Sequence, residues 1–188
     1  MKKTAIITAE ILHNGGVIAY PTEGVFGLGC LPSKELAIKR VLTIKNRDAS
    51  KGLILIASDA KQLDPWIKLP DKTFLPEPIE QYPITWIVPF SKKISKLVTG
   101  KNEGIAIRLT TNPIVRSICS RVESAIISTS ANLSGQPVVK NQTELKKKFE
   151  DLVDFIVPGN CGPASGPSEI RNLMTGQILR NGKKINND

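Results

Sequence analysis

The stretch TAIITAEILHNGGVIAYP, residues 4–21, decides how this chain is read, because the apolar period changes inside it. Residues 4–13 carry the helical period of about 3.6, and His13-Asn14-Gly15-Gly16 is a helix ending that sets His13 at the negative end of the helix dipole. Residues 17–20 then read as a strand. The switch recurs along the chain. Ser33 stands as N-cap to a second helix reaching Lys45, with Glu35 in its first turn and Leu36, Ala37, Val41, Leu42 and Ile44 on its apolar face. A polar loop at 46–52 leads into a strand at 53–57, a short helix from Asp59, and a Pro-rich surface excursion over 69–83. Strands are expected at 85–88, 105–108, 125–128 and 155–157, and helices at 113–122 and 143–149. Residues 171–180 read as a hairpin turning at Thr175-Gly176, so antiparallel pairs accompany the crossovers. The pattern is α/β, with a mixed parallel and antiparallel sheet.

Length and charge narrow the function. At about 150 residues per domain, the 188 residues form a single domain, 1–188, with 182–188 a polar tail expected to fray. Hydrophobic residues at 40% and charged residues at 23% are ordinary for a globular chain that builds its core without staples. The 26 Lys and Arg against 17 Asp and Glu leave +9, which calls for an anionic partner such as nucleotide, RNA or acidic lipid. Cys30, Cys119 and Cys161 lie far apart without a C-x-x-C pair, which suits a reducing cytosol and counts against a zinc knuckle. His13 is the only histidine, so a Ser-His-Asp or Cys-His mechanism would hang on a residue at a helix end. No apolar run approaches the ~18 residues that a bilayer needs, and Met1-Lys2-Lys3 with Glu10 close behind reads as mature protein. A cytoplasmic protein without a membrane partner is expected.

Familiar nucleotide motifs fail. Residues 176–184 have the wrong spacing for a P-loop and lack its hydroxyl, and Pro32 stands where a dinucleotide fingerprint begun at Gly27-Leu28-Gly29 needs its third glycine. Lys146-Lys147-Lys148 reads as a solvated helix face. The chemistry gathers in loops beside strands. Residues 21–29 hold three glycines and the Thr22 hydroxyl; Lys45, Arg47 and Lys51 crowd one loop in a concentration suited to phosphate oxygens; residues 128–135 are dense in short hydroxyl and amide groups. Arg108 interrupts an apolar strand and needs an acidic partner, internal or ligand.

Taken together, residues 20–29, the Lys45-x-Arg47 pair, Lys51-Gly52-Leu53-Ile54, Ser130-x-Asn132-x-Ser134-Gly135, residues 167–171 and Ile178-Leu179-Arg180 resemble the YrdC/TsaC family, the short form of threonylcarbamoyl-AMP synthase. The resemblance implies a YrdC-like fold, a twisted mixed sheet flanked by helices around a basic concave groove. It implies synthesis of L-threonylcarbamoyl-adenylate from L-threonine, bicarbonate and ATP, with release of pyrophosphate. This nucleotidyltransferase step opens the N6-threonylcarbamoyladenosine modification of tRNA, so a downstream tRNA threonylcarbamoyl transferase complex is an expected partner, with tRNA or double-stranded RNA a possible one. By the same resemblance Lys45 and Arg47 are catalytic and bind the ATP phosphates with Lys51, Ser130 and Asn132 bond the nucleotide, and Arg180 closes the ATP site. Arg108 meets the threonine carboxylate, helped by Thr22, Ser128 and Ser168. Mg2+ accompanies the ATP, and no residue of the chain is assigned to it. The chain departs from the family at Gly24, where longer relatives carry threonine, and at Gln81-Tyr82-Pro83, where Pro-Gly-Pro is usual.

One structural requirement follows. The 45–51 loop enters the strand at 53–57 at its start, whereas Ser130 and Asn132 leave the strand at 125–128 at its end, so these two strands must run in opposite directions to serve one ATP. Two other functions compete with this one: a noncatalytic RNA-binding module in tRNA or ribosome maturation, and adenylation of carbamoyl phosphate as in larger maturation proteins with a similar domain.

Overall fold

The computed structural model describes residues 2–139, 141–164 and 166–182; of the tail expected to fray, only Gly182 falls among the described residues. In chain order the elements are α1 (Lys2–His13), β1 (Ile18–Pro21), β2 (Phe26–Gly29), α2 (Glu35–Ile44), β3 (Ile54–Ala57), β4 (Ile84–Val88), α3 (Lys96–Thr99), β5 (Ile105–Leu109), α4 (Pro113–Val122), β6 (Ile126–Ser130), α5 (Gln142–Phe149), β7 (Phe155–Ile156), β8 (Glu169–Asn172) and β9 (Ile178–Arg180). The strands form a nine-stranded sheet in the order β7-β1-β2-β6-β3-β5-β4-β8-β9. β3 pairs in parallel with β5 and antiparallel with β6, which meets the requirement set by the two loops. The expected hairpin is the antiparallel pair β8–β9.

Two expectations fail for local reasons. The glycine-rich run after β1 is not a loop throughout: residues 26–29 form β2, and only 22–25 turn. Glycine serves that strand because a side chain at Gly29 would place its Cβ 2.1 Å from the Ile127 carbonyl oxygen. Ser33 does not cap α2. The Lys34 amide bonds back to the Leu31 carbonyl at 3.1 Å, so Ser33 lies inside a preceding turn and the helix starts at Glu35. Ala37, Ile38, Val41 and Leu42 then make the buried stripe, while Leu36, about 200° of helical rotation from Ile38, is 82% exposed. α3 went unforeseen because four residues carry too little period to detect.

Alternation along the central strands assigns the layers. Leu55, Ala57, Ile105, Ile107 and Ile127 point to one face and pack with Ala37, Ile38, Val41 and Leu42 of α2 and with Leu145 and Phe149 of α5. Ile56 and Ile126 point to the other and pack with Leu12 of α1 and with Val115, Ile118 and Val122 of α4. The second face is only half covered. Ile54, Ala106, Arg108, Ser128 and Ser130 share it by register, beyond the reach of α1 and α4, and there the sheet stands open. The connection from β7 to β8, which passes six intervening strands in the sheet order, forms a strap whose described residues run beside the β1–β2 turn, Gly166 against Gly24, before β8 begins at Glu169. Amides of Gly162 and Ala164 tie it to the carbonyls of Thr22 and Glu23 at 2.8 and 3.0 Å.

Candidate active site

The open half of the sheet carries two joined cavities. The larger, about 630 Å³, is walled by Arg47, Lys51, Asn102, Asn172 and Arg180 among others. The smaller, about 130 Å³, is walled by Thr22, Arg108, Ser128, Ser130, Ser168 and Arg180, and by Arg47. Arg47, Leu53, Ile54 and Arg180 line both, and so mark the junction. A further cavity of about 280 Å³ against α1 and α4 has no charged lining and offers an anion nothing.

Each wall is placed by the chain that leads to it. Arg47 follows the end of α2, and its Nε and Nη2 donate to the Gly52 carbonyl at 3.1 and 2.9 Å, which holds the guanidinium across the entrance to β3. Arg180, on the last strand, donates from Nε and Nη2 to the Ser168 carbonyl at 3.2 and 2.7 Å. The Ser168 hydroxyl shares a 2.6 Å hydrogen bond with that of Thr85. Thr22 is buried beside the cavity, and its hydroxyl donates to the Val25 carbonyl at 2.7 Å, which closes the β1–β2 turn. Gly24 in that turn abuts the strap: a Cβ there would stand 2.3 Å from the Gly166 carbonyl oxygen, so the threonine that the resemblance gives to longer relatives at this position has no room here.

Lys45 and Asn132 lie behind the wall rather than on it. Lys45 is 1% exposed, and its ammonium donates to the Ser130 carbonyl, to the Asn132 carbonyl at 2.8 Å and to Asn132 Oδ1 at 3.1 Å. Asn132 Oδ1 also accepts from the Ser130 hydroxyl at 2.6 Å, while its Nδ2 donates to the carbonyls of Leu133 and Gln136. All three ammonium protons are thereby spent on the end of β6 and the loop that follows it. Burial, with the Arg47 charge adding to it, lowers the Lys45 pKa to about 8.

The sign of that shift gives a pH prediction. Lys45 loses its proton in the folded chain before it does in the unfolded one, so its contribution to stability rises from about pH 8 towards the ordinary lysine value. A neutral amine has only two protons for the three oxygens, so the loop loosens over the same range. We expect kcat at saturating substrates to fall above about pH 8 while the melting temperature holds to about pH 9.5. A parallel fall of both would contradict this.

The acidic partner that Arg108 needs is Glu23, whose Oε2 stands 3.4 Å from Arg108 Nη2 with both side chains buried. Burial alone would raise the Glu23 carboxyl, but the Arg108 charge and the Thr110 hydroxyl outweigh it and hold the group below its usual range. Glu23 was missed although it adjoins Thr22 in a stretch already singled out; an arginine inside a strand was the signal to look for it. Asn102 and Asn172 carried no signal at all.

The chain is thus an α/β protein with a half-covered mixed sheet whose open face holds a guanidinium-walled double cavity. The chain belongs to the Sua5/YciO/YrdC family, whose model, described as telomere recombination, matches residues 10–182. A threonylcarbamoyl-AMP synthase of Vibrio vulnificus is 44% identical over 92% of this chain and 95% of its own length. Sua5 of P. abyssi, crystallised with L-threonine, superposes with a TM-score of 0.85 at 27% identity, over 97% of this chain. This chain spans 55% of that Sua5 chain. E. coli YciO shares the fold, with a TM-score of 0.82 at 24% identity over 98% of this chain and 92% of its own. Among the described residues, no helix is long and apolar enough to cross a membrane.

Proposed function

We propose that the chain joins L-threonine, bicarbonate and ATP into threonylcarbamoyl-adenylate and releases pyrophosphate. The observation that carries this is the junction: Arg47 and Arg180 face both cavities, the larger of nucleotide size and the smaller with room for an amino acid. The threonine amine adds to CO2, or to bicarbonate with loss of water, to give a carbamate. A carbamate oxygen then attacks the α-phosphorus of ATP, and the bond to pyrophosphate breaks. Negative charge builds on phosphate oxygens during that displacement, and cations fixed beforehand stabilise it without reorganising.

In this scheme Arg47 and Arg180 hold the reacting phosphates at the junction, and Lys51 meets the outer ones. Arg108 takes the threonine carboxylate, and the hydroxyls of Ser128, Ser130 and Ser168 complete the polar wall. Lys45 and Asn132 act from behind by holding the Ser130 loop. Mg2+ enters with ATP. Among the described residues no three His, Cys, Asp or Glu side chains converge to hold a metal, and the junction offers cations and hydroxyls, so the triphosphate oxygens would hold the ion and it would add charge stabilisation there. The adenylate is then consumed in the cytoplasm by a transferase complex that acts on tRNA.

Incubation with labelled bicarbonate, threonine and ATP, followed by mass spectrometry, is expected to show labelled threonylcarbamoyl-AMP, with pyrophosphate released only when both threonine and bicarbonate are present. Equal turnover without threonine rejects the substrate. RNA binding without any turnover returns the noncatalytic module.

A further inference from the structure

Glu23 occupies the turn between β1 and β2 and is 2% exposed. Its Oε1 accepts from the Thr110 hydroxyl and, at 3.1 Å, from the Thr111 amide. Its Oε2 faces Arg108 Nη2 at 3.4 Å but accepts no hydrogen bond among the described residues, and Arg108 Nε donates none. A closed fork between carboxylate and guanidinium would spend two N–H groups on the acid. Here Thr110 and Thr111 draw Oε1 aside, which leaves the pair held by charge across an open geometry.

That arrangement matters because of what surrounds it. Arg108 lines the smaller cavity together with Arg47 and Arg180, whereas Glu23 does not line it. Three guanidiniums around one small space repel one another, and a long arginine side chain without a tether has many rotamers to choose from. Glu23 supplies a counter-charge from behind the cavity wall, and its own rotamer is locked by β5's continuation at Thr110 and Thr111. A carboxylate tied in this way attracts the guanidinium without saturating its donors.

We propose that Glu23 is a positioning residue for the amino-acid subsite: it aims Arg108 into the smaller cavity and leaves donors on that guanidinium free for the carboxylate of the bound amino acid. The inference rests on the reading that threonine occupies this cavity. Glu23 touches no reacting atom. Its effect is on amino-acid affinity, and it leaves the nucleotide cavity alone.

The test is calorimetric titration of threonine into the full chain without ATP, together with KM for each substrate. Glu23→Gln keeps the shape and both Oε1 bonds but removes the charge. It is expected to weaken threonine binding about tenfold, equivalent to ~1.4 kcal/mol, with the KM for ATP changed less than about twofold. Glu23→Asp restores part of the loss. In an Arg108→Ala background Glu23→Gln adds nothing further, because the residue it acts through is gone. Should Glu23→Gln fail to fold, Thr110→Val releases Oε1 and is expected to shift threonine affinity in the same direction, by about threefold. A folded variant at either position with unchanged threonine affinity, or additive losses in the double variant, overturns the positioning role alone. A wild-type protein that binds no threonine overturns the functional reading with it.

Discussion

Lys45→Met is expected to leave the chain folded but to lower kcat by about 100-fold and the unfolding free energy by about 2 kcal/mol. Methionine fills nearly the same volume, so packing changes little. What disappears is the ammonium that ties the Ser130 carbonyl and both oxygens of Asn132 together. Each buried acceptor that loses its donor costs on the order of 1 kcal/mol or more, and relief from burying a charge offsets part of the sum. The larger effect falls on rate. Ser130, the last residue of β6, lines the smaller cavity, and a wall that drifts by an ångström forfeits the alignment that in-line displacement needs. Pyrophosphate release and thermal melting measured on the same preparation check both halves. Wild-type turnover in a folded Lys45→Met protein would show that the loop holds its place without the tie.

Arg47→Ala should lose a comparable ~100-fold in kcat, the scale of removing one charge-stabilising donor from a reacting site, but with little change in stability. The contrast follows from position. Arg47 is half-buried and bonds the protein at the Gly52 carbonyl, so truncation leaves one acceptor at a cavity edge where water replaces the lost donor. Its guanidinium faces both cavities, where charge develops as the phosphorus is attacked. Arg47→Lys should recover only part of the rate, because a point charge does not reproduce a planar fork that bonds Gly52 and a phosphate at once. Steady-state kinetics with ATP and threonine varied separately distinguish this from a simple loss of nucleotide affinity. An Arg47→Ala enzyme at full rate would leave the residue as a staple of its own loop.

Much of this was legible before any coordinates. The helix at 113–122 came from apolar period, and the antiparallel relation between β3 and β6 from the requirement, set by the family resemblance, that two polar loops serve one ATP. Arg108, a charge in an apolar strand, called for an acidic partner, internal or ligand, and the structure supplies Glu23. What escaped was three-dimensional. Lys45 and Arg47 are two residues apart, yet one ammonium turns inward to the Ser130 loop while the other cation faces the cavity. Spacing cannot distinguish a group that touches ligand from one that props up its neighbour. Nor does a glycine-rich run declare whether its glycines serve a turn or let two strands approach, as Gly29 does beside Ile127.

The strap has a consequence for how the molecule comes to life. Its ties from Gly162 and Ala164 to Thr22 and Glu23 join parts of the chain some 140 residues apart, and loops of that length close late because their entropy is spent before any contact repays it. Pro167, Ser168 and Arg180 arrive only with that closure, so a nascent chain that has already built β1 to β6 is chemically mute. Synthesis from the N-terminus thus delivers part of each wall first and completes the junction, with Arg180, last.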